Sequence, residues 1–145
     1  MPTRKARSTW TGGLQDGSGK VELVSSGLAT FDVSFPKRAA EEADGTTSPE
    51  ELIAAAHAAC FSMALSAGIA AAGGTPKSLV VDVEVRLGPD PAGGFRIPDI
   101  AIHVRGTVDG LDEEGFVKAA NDAKLGCPVS KALTGTTITL DAALA

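Results

Sequence analysis

The feature that most constrains this chain is a run of 21 residues, 52–72, that carries no formal charge when its one histidine is neutral. Ten of the residues are alanine, and only six are strongly apolar. A run of this length can cross a membrane as a helix, or it can form the buried helix of a soluble protein. The apolar residues favour membrane insertion by only a small free energy, which His57, Gly68 and two serines oppose. We therefore predict a core helix and no membrane partner.

Clear start and stop signals bound this helix. Ser48 is a favoured N-cap residue, Pro49 suits the first helical position, and Glu51 can complete a capping box. Gly73 and Gly74 end the helix. Since the pattern is apolar on nearly every side, we expect other elements to wrap around the helix.

The segment before the helix reads as strands and a loop. The first 35 residues alternate and turn in a way that predicts an antiparallel meander. Residues 36–47 predict a polar loop that carries Lys37 and Arg38.

The segment after the helix predicts further strands and helices. Residues 78–88 and 95–108 form two half-buried strands around the turn PDPAGG, with Ile100, Ile102 and Val104 pointing inward. A helix from Asp112 to Leu125, a helical turn opened by Cys127 and a last strand follow. The predicted class is α+β, with residues 1–145 as a single domain.

Charge and targeting signals limit the possible partners. The net charge of -5 and the lack of a long Lys/Arg cluster argue against nucleic-acid binding. The basic N-terminus is not followed by an apolar segment, so we expect no signal peptide and a cytoplasmic location. In such a reducing compartment, paired cysteines are more often catalytic, redox-active or metal-binding than structural.

Only the fold can bring the two cysteines, Cys60 and Cys127, together. Cys127 is expected at the N-cap of a short helix, where free N–H groups stabilise a thiolate. Cys60 lies inside the long helix, where burial raises the pKa of a thiol. To react, Cys60 would need an arginine from elsewhere in the fold. Two inert buried cysteines are the alternative interpretation.

The sequence does not predict a metal site. The available ligands are His57, Cys60, His103 and Cys127, and only His57 and Cys60 share a helical face. Structural zinc sites usually show a closely spaced ligand pair such as CxxC, which this chain lacks.

Glu50 is the other unusual polar residue near the helix start. It lies ten residues before Cys60, which is roughly 15 Å along a helix axis. Its simplest role is to favour the positive helix N-terminus. The alternative is that it holds a cation from the preceding loop, with Arg38 as the candidate.

Two motifs carry a resemblance to a known family. The segment GTTSPEELIAAAHAACFSMAL, followed by AKLGCPVSKAL, resembles the OsmC/Ohr family of thiol peroxidases, and the first motif favours its OsmC-like branch. This family is named for osmotically inducible protein C and the organic hydroperoxide resistance protein. The resemblance implies antiparallel sheets wrapped around central helices in an intertwined homodimer. It also implies a role in the oxidative stress response.

The resemblance also implies the roles of four residues. Cys60 matches the peroxidatic cysteine and Cys127 the resolving cysteine. Glu50 matches the glutamate that holds a catalytic arginine, and Arg38 is the matching arginine. In the implied reaction, Cys60 attacks the peroxide and becomes a sulfenic acid, and Cys127 then closes a disulfide.

The substrate and the reductant are expectations of the same kind. Apolar side chains near Cys60, namely Phe61, Met63 and Phe35, are expected to favour organic hydroperoxides over hydrogen peroxide. No bound cofactor is expected; an external dithiol, dihydrolipoamide or a lipoylated protein, would reduce the disulfide. Two alternatives remain: a non-enzymatic module that binds an apolar ligand, and a peroxide sensor.

Overall fold

A computed structural model describes all residues, 1–145, and contains four helices and eight strands. This mixture of helices and sheets confirms the predicted α+β class. The chain divides into two compact units, Met1–Leu52 and Ile53–Ala145, and the division falls inside the longest helix. The single domain over 1–145 stays a prediction.

The first unit contains a three-stranded antiparallel sheet. Its strands β1 (Arg7–Thr11), β2 (Ser18–Glu22) and β3 (Thr30–Val33) pair in chain order, which confirms the predicted meander. The turn between β1 and β2 requires Gly17, because a Cβ there would lie 2.2 Å from the Gly13 carbonyl oxygen.

A short helix, α1 (Phe35–Arg38), follows β3. The predicted polar loop is therefore wrong in its first residues. Ser34 caps α1 by accepting a hydrogen bond from the Lys37 N–H, and Pro36 stands in the first turn, where no N–H donor is needed.

Helix α2 (Pro49–Ala71) is the predicted long helix. Ser48 Oγ accepts a hydrogen bond from the Glu51 N–H at 3.1 Å, as an N-cap should. The Glu51 carboxylate accepts the Thr47 hydroxyl, so only the Ser48 half of the expected capping box is seen. At the other end, Gly73 has a φ of +87°, and the Gly74 N–H bonds the Ile69 carbonyl oxygen, which is the Schellman geometry.

By length and composition alone, α2 could also cross a membrane. Core helices of soluble proteins pass the same test. In this chain its fully buried residues recur every four positions along one face: His57, Phe61, Leu65 and Ile69. The opposite face is open, and Met63 is 73% exposed. Wrapping on all sides is thus absent from the single chain, and the homodimer that would supply it stays a prediction.

The second unit contains a mixed sheet in the order β4 (Thr75–Val85), β7 (Asp99–Asp109) and β8 (Thr137–Leu144). A two-stranded hairpin, β5 (Gly88–Pro89) and β6 (Phe95–Arg96), joins β4 to β7. Strands β4 and β7 are antiparallel, but β7 and β8 are parallel. The resemblance implied antiparallel sheets, and β8 departs from this expectation because it pairs in parallel with β7.

The parallel pairing has a simple cause. A parallel strand needs a long crossover, and α3 (Glu113–Gly126) with α4 (Pro128–Ala132) provides it. The core of this unit lies between the sheet and the helices. It includes the three residues predicted to point inward and further side chains of α2 and α3: Ile100, Ile102, Val104, Phe61, Leu65, Ile69 and Phe116.

Candidate active site

The first unit brings Arg38 and Glu50 together. The Arg38 guanidinium donates from Nη2 to Glu50 Oε1 at 2.6 Å and from Nε to both carboxylate oxygens at 3.1 Å. The Glu50 residue is only 8% exposed, and about a third of the Arg38 side chain reaches solvent. The carboxylate therefore fixes the guanidinium at the start of α2.

The geometry also shows which of the two neighbouring cations, Lys37 or Arg38, pairs with Glu50. Lys37 forms an exposed ion pair with Asp44, Nζ to Oδ2 at 2.7 Å. This pair lowers the pKa of Asp44 through a hydrogen bond and the Lys37 charge. Arg38 is thus the partner of Glu50, as the resemblance implied. Its catalytic role stays a prediction.

Arg38 lies on the wall of an open groove of about 500 Å³ in the first unit. Most of the other walls are apolar, with Trp10, Leu14, Phe35 and Leu52 among them. Phe35, one of the predicted substrate-binding residues, therefore shares a groove with the predicted catalytic arginine.

The second unit brings Cys60 and Cys127 together. Their Sγ atoms lie 2.9 Å apart, and both are free thiols that share a hydrogen bond. Cys60 projects from α2 and is partly exposed. Cys127 is fully buried and is the N-cap residue of α4, followed by Pro128 as predicted. Residues 67 positions apart in the chain are thus placed for disulfide formation.

The two thiols have opposite pKa shifts. Burial raises the pKa of Cys60, and the adjacent Cys127 raises it further, against a smaller opposing effect of the Val129 backbone. Burial also acts to raise the pKa of Cys127, but Cys60, Ser130 and the Val129 backbone together lower it below its ordinary value. These two directions favour Cys127 over Cys60 as the first of the pair to ionise.

His57 and Ser130 adjoin this pair, and sequence reasoning did not find them as site residues. His57 is fully buried, and its Nε2 lies 2.7 Å from Ser130 Oγ. Burial lowers the pKa of His57, which keeps the ring neutral at pH 7. The signal that could have found them is spacing: each lies three residues from a cysteine within a helical segment.

The other predicted substrate-binding residues lie in different environments. Phe61 is fully buried in the core of the second unit, whereas Met63 is largely exposed on the open face of α2. Their contact with a substrate stays a prediction. No group of three or more His, Cys, Asp or Glu side chains is arranged to hold a metal ion.

Comparison with known proteins identifies relatives along nearly the whole chain. Residues 42–141 match the family model described as an OsmC-like protein. The chain is 42% identical to the peroxiredoxin OsmC of Escherichia coli (strain K12), over 95% of this chain and 94% of that protein. It is 33% identical to an organic hydroperoxide resistance protein of Xanthomonas axonopodis pv. citri, over 90% of this chain and 87% of that protein.

A solved structure agrees with these relatives. The crystal structure of an organic hydroperoxide resistance protein OsmC from Legionella pneumophila superposes with a TM-score of 0.79 and 29% identity. The match covers 99% of this chain and 98% of that one. The names of these relatives agree with the predicted peroxidase class. By its sequence and its fold, the chain belongs to the OsmC/Ohr family.

Proposed function

We propose that this protein is a thiol-dependent peroxidase that reduces organic hydroperoxides to alcohols. The observation that carries the proposal is the 2.9 Å separation of the Cys60 and Cys127 sulfurs in the second unit. At this distance, an oxidised Cys60 can form a disulfide with Cys127 with little movement of the backbone.

In the proposed reaction the Cys60 thiolate attacks the terminal peroxide oxygen. The O–O bond breaks, the alkoxide leaves and takes up a proton, and Cys60 becomes a sulfenic acid. Cys127 then displaces the hydroxyl group from Cys60, which gives a disulfide and water. This second step protects Cys60 from irreversible oxidation.

Arg38 is the proposed source of positive charge for this chemistry. The guanidinium would stabilise the Cys60 thiolate and polarise the peroxide, and Glu50 would hold it in place. The bidentate contact between Arg38 and the buried Glu50 supports this role, since a fixed guanidinium loses little entropy on binding an anion.

The apolar groove beside Arg38 supports an organic substrate. Phe35 lines it, and we propose that the groove holds the organic part of the hydroperoxide. Phe61 and Met63 remain proposed contacts near Cys60. The same groove is the specific reason to keep the second candidate, a non-enzymatic module that binds apolar ligands.

The remaining partners are proposals of the same kind. A dithiol such as dihydrolipoamide, free or on a lipoylated protein, would reduce the disulfide in the cytoplasm. The open apolar face of α2, with Met63 at its centre, supports a homodimer.

One titration tests the function. The reduced protein is treated with one equivalent of cumene hydroperoxide, and its free thiols are counted. We expect both thiols to be lost, and Cys60→Ser to block the loss of Cys127. Two unreacted thiols in the unmodified protein would reject the peroxidase and favour the binding module. Thiol loss with slow turnover in excess dihydrolipoamide would favour a peroxide sensor.

A further inference from the structure

His57 is a buried titratable side chain that the proposed reaction does not use. Its Nε2 contacts Ser130 Oγ at 2.7 Å, and Ser130 is itself only 6% exposed. Its Nδ1 is buried without a hydrogen-bond partner in the chain. Buried polar atoms are nearly always paired, so a half-paired histidine beside two cysteines requires a reason.

The surroundings of the ring select its tautomer. A neutral imidazole carries one N–H, and a buried N–H without an acceptor is rarer in proteins than a buried acceptor without a donor. The proton therefore belongs on Nε2, which donates to Ser130 Oγ. The Ser130 hydroxyl hydrogen is then free to point to a second acceptor.

The position of Ser130 in α4 points to the Cys127 sulfur as that acceptor. Ser130 lies three residues after Cys127, in the first turn of the helix that Cys127 opens. Hydrogen bonding from Ser130 is also among the causes that lower the pKa of Cys127. The Cys127 sulfur in turn contacts Cys60. Hydrogen bonds that run in one direction strengthen each other in a buried environment. In this order of hydrogen bonds, His57 donates to Ser130 and Ser130 donates to the Cys127 sulfur.

We propose that His57 and Ser130 form a hydrogen-bond chain that makes Cys127 the thiolate of the cysteine pair, both when it resolves oxidised Cys60 and when it leaves during disulfide reduction. The proposal rests on the peroxidase function and adds to it the residues that control the second cysteine. Ser130 acts on the reacting sulfur directly. His57 acts through Ser130 and is a positioning residue.

The resolving step balances as follows. The Cys127 thiolate attacks Sγ of the Cys60 sulfenic acid. The S–S bond forms and the S–O bond breaks. Hydroxide leaves and takes up a proton to become water, while the Cys127 sulfur is oxidised and the Cys60 sulfur is reduced.

The reducing step uses the same asymmetry. A thiolate of the external dithiol attacks Cys60, which is more accessible than Cys127. The S–S bond breaks, and its electron pair goes to Cys127. The second thiol of the dithiol then attacks the mixed disulfide, which releases Cys60 and closes the reductant into its own disulfide. A sulfur that is stable as a thiolate leaves faster, so the chain directs the attack to Cys60.

The first test measures the ionisation of Cys127 alone. In a Cys60→Ser background, the thiolate absorbance of the full protein is followed against pH. Ser130→Ala is expected to raise the pKa of Cys127 by about one unit, since one hydrogen bond to the thiolate is lost. His57→Leu is expected to raise it as well. His57→Gln, whose amide can still donate to Ser130, is expected to keep the pKa close to that of the parent.

A matched control removes another serine hydroxyl of the second unit. Ser62 in α2 donates to the Ala58 carbonyl at 2.8 Å, so Ser62→Ala should not move the pKa of Cys127. If His57→Leu fails to fold, Ser130→Ala still decides the question, because it removes a single oxygen. A His57→Gln shift as large as that of Ser130→Ala would overturn the positioning role of His57.

The second test follows the resolving step with both cysteines present. After one equivalent of cumene hydroperoxide, Ser130→Ala is expected to hold a larger fraction of Cys60 as sulfenic acid, trapped by a dimedone reagent, and to close the disulfide several-fold more slowly. If Ser130→Ala changes neither the pKa of Cys127 nor the rate of disulfide closure, the inference is overturned and the peroxidase function still stands. If the unmodified protein loses no thiols, the peroxidase function fails instead.

Discussion

Removal of the Arg38 guanidinium should destabilise the first unit by far more than removal of the neighbouring Lys37 ammonium. The Glu50 residue is 8% exposed and receives three N–H···O contacts from Arg38, so Arg38→Met leaves a buried carboxylate without its counter-ion. Loss of one partner of a buried pair costs about 3–5 kcal/mol. About a third of the Arg38 side chain is exposed, and solvent can reach the carboxylate after the substitution. We therefore expect a loss of about 3 kcal/mol in the free energy of unfolding.

A double-mutant cycle isolates the pair. Glu50→Gln keeps a carbonyl acceptor but removes the charge, and it should cost about 1 kcal/mol. In Arg38→Met with Glu50→Gln, no buried charge is left unpaired, so we expect a coupling energy of about 2 kcal/mol between the two sites. The assay is urea unfolding at one fixed protein concentration, because association would shift the apparent stability.

Lys37→Met serves as the control, since the Lys37–Asp44 pair is exposed and contributes little. The reasoning is refuted if Arg38→Met is no more destabilising than Lys37→Met. It is also refuted if the effects at Arg38 and Glu50 add to within about 0.5 kcal/mol.

Two further predictions concern the second unit. Gly106→Ala would place a Cβ 2.6 Å from the Phe116 ring, so it should lower the free energy of unfolding in urea by about 1–3 kcal/mol. The control is Gly135→Ala, whose Cβ would have no atom within 4 Å, and its free energy of unfolding should change by less than about 0.5 kcal/mol. Burial lowers the pKa of His57 in the folded protein, whereas the unfolded chain keeps the ordinary value of 6.5. Between these two pKa values, the unfolded chain binds the proton more readily than the folded protein does. The free energy of unfolding should therefore fall as the pH drops from 6.5 toward the folded pKa, by at most about 1.4 kcal/mol per pH unit. Urea unfolding at several pH values measures this fall, which should be weaker in His57→Gln.

The elements with strong local signals were predictable from the sequence. Ser48 and Pro49 mark the start of α2, and Gly73 and Gly74 its end, because capping depends on residues within one turn. The family was predictable from the motifs around Cys60 and Cys127. These signals needed no knowledge of long-range contacts.

The features that depend on tertiary structure were not predictable. The direction of β8 depends on the crossover through α3 and α4, which strand periodicity does not encode. Arg38 was a candidate partner of Glu50 from its position and from the resemblance, but the residues alone left open whether Glu50 binds a cation at all, because the contact depends on the short helix α1. The contact between His57 and Ser130 joins residues 73 positions apart, so neither residue alone indicates it.

The opposite pKa shifts of the two cysteines lead to a last prediction about how the site works. Within the second unit, burial and Cys127 raise the pKa of Cys60, so the residue proposed to attack the peroxide is the one that ionises less readily. Each unit by which the pKa of a thiol is lowered takes about 1.4 kcal/mol, so a lowering of about two units or more exceeds what a single neutral hydrogen bond supplies. A cation must therefore act on Cys60 if the proposed function is correct, and Arg38 is the candidate.

The variant Cys127→Ser leaves Cys60 as the one thiol, and its thiolate absorbance can be followed against pH. We expect Cys60 to ionise well below its ordinary pKa in this variant, and Arg38→Met in the same background to raise that pKa by at least about one unit. Lys37→Met should leave it unchanged. A Cys60 pKa that stays above its ordinary value in all three proteins would assign the attacking thiolate to Cys127, the cysteine that local structure already favours.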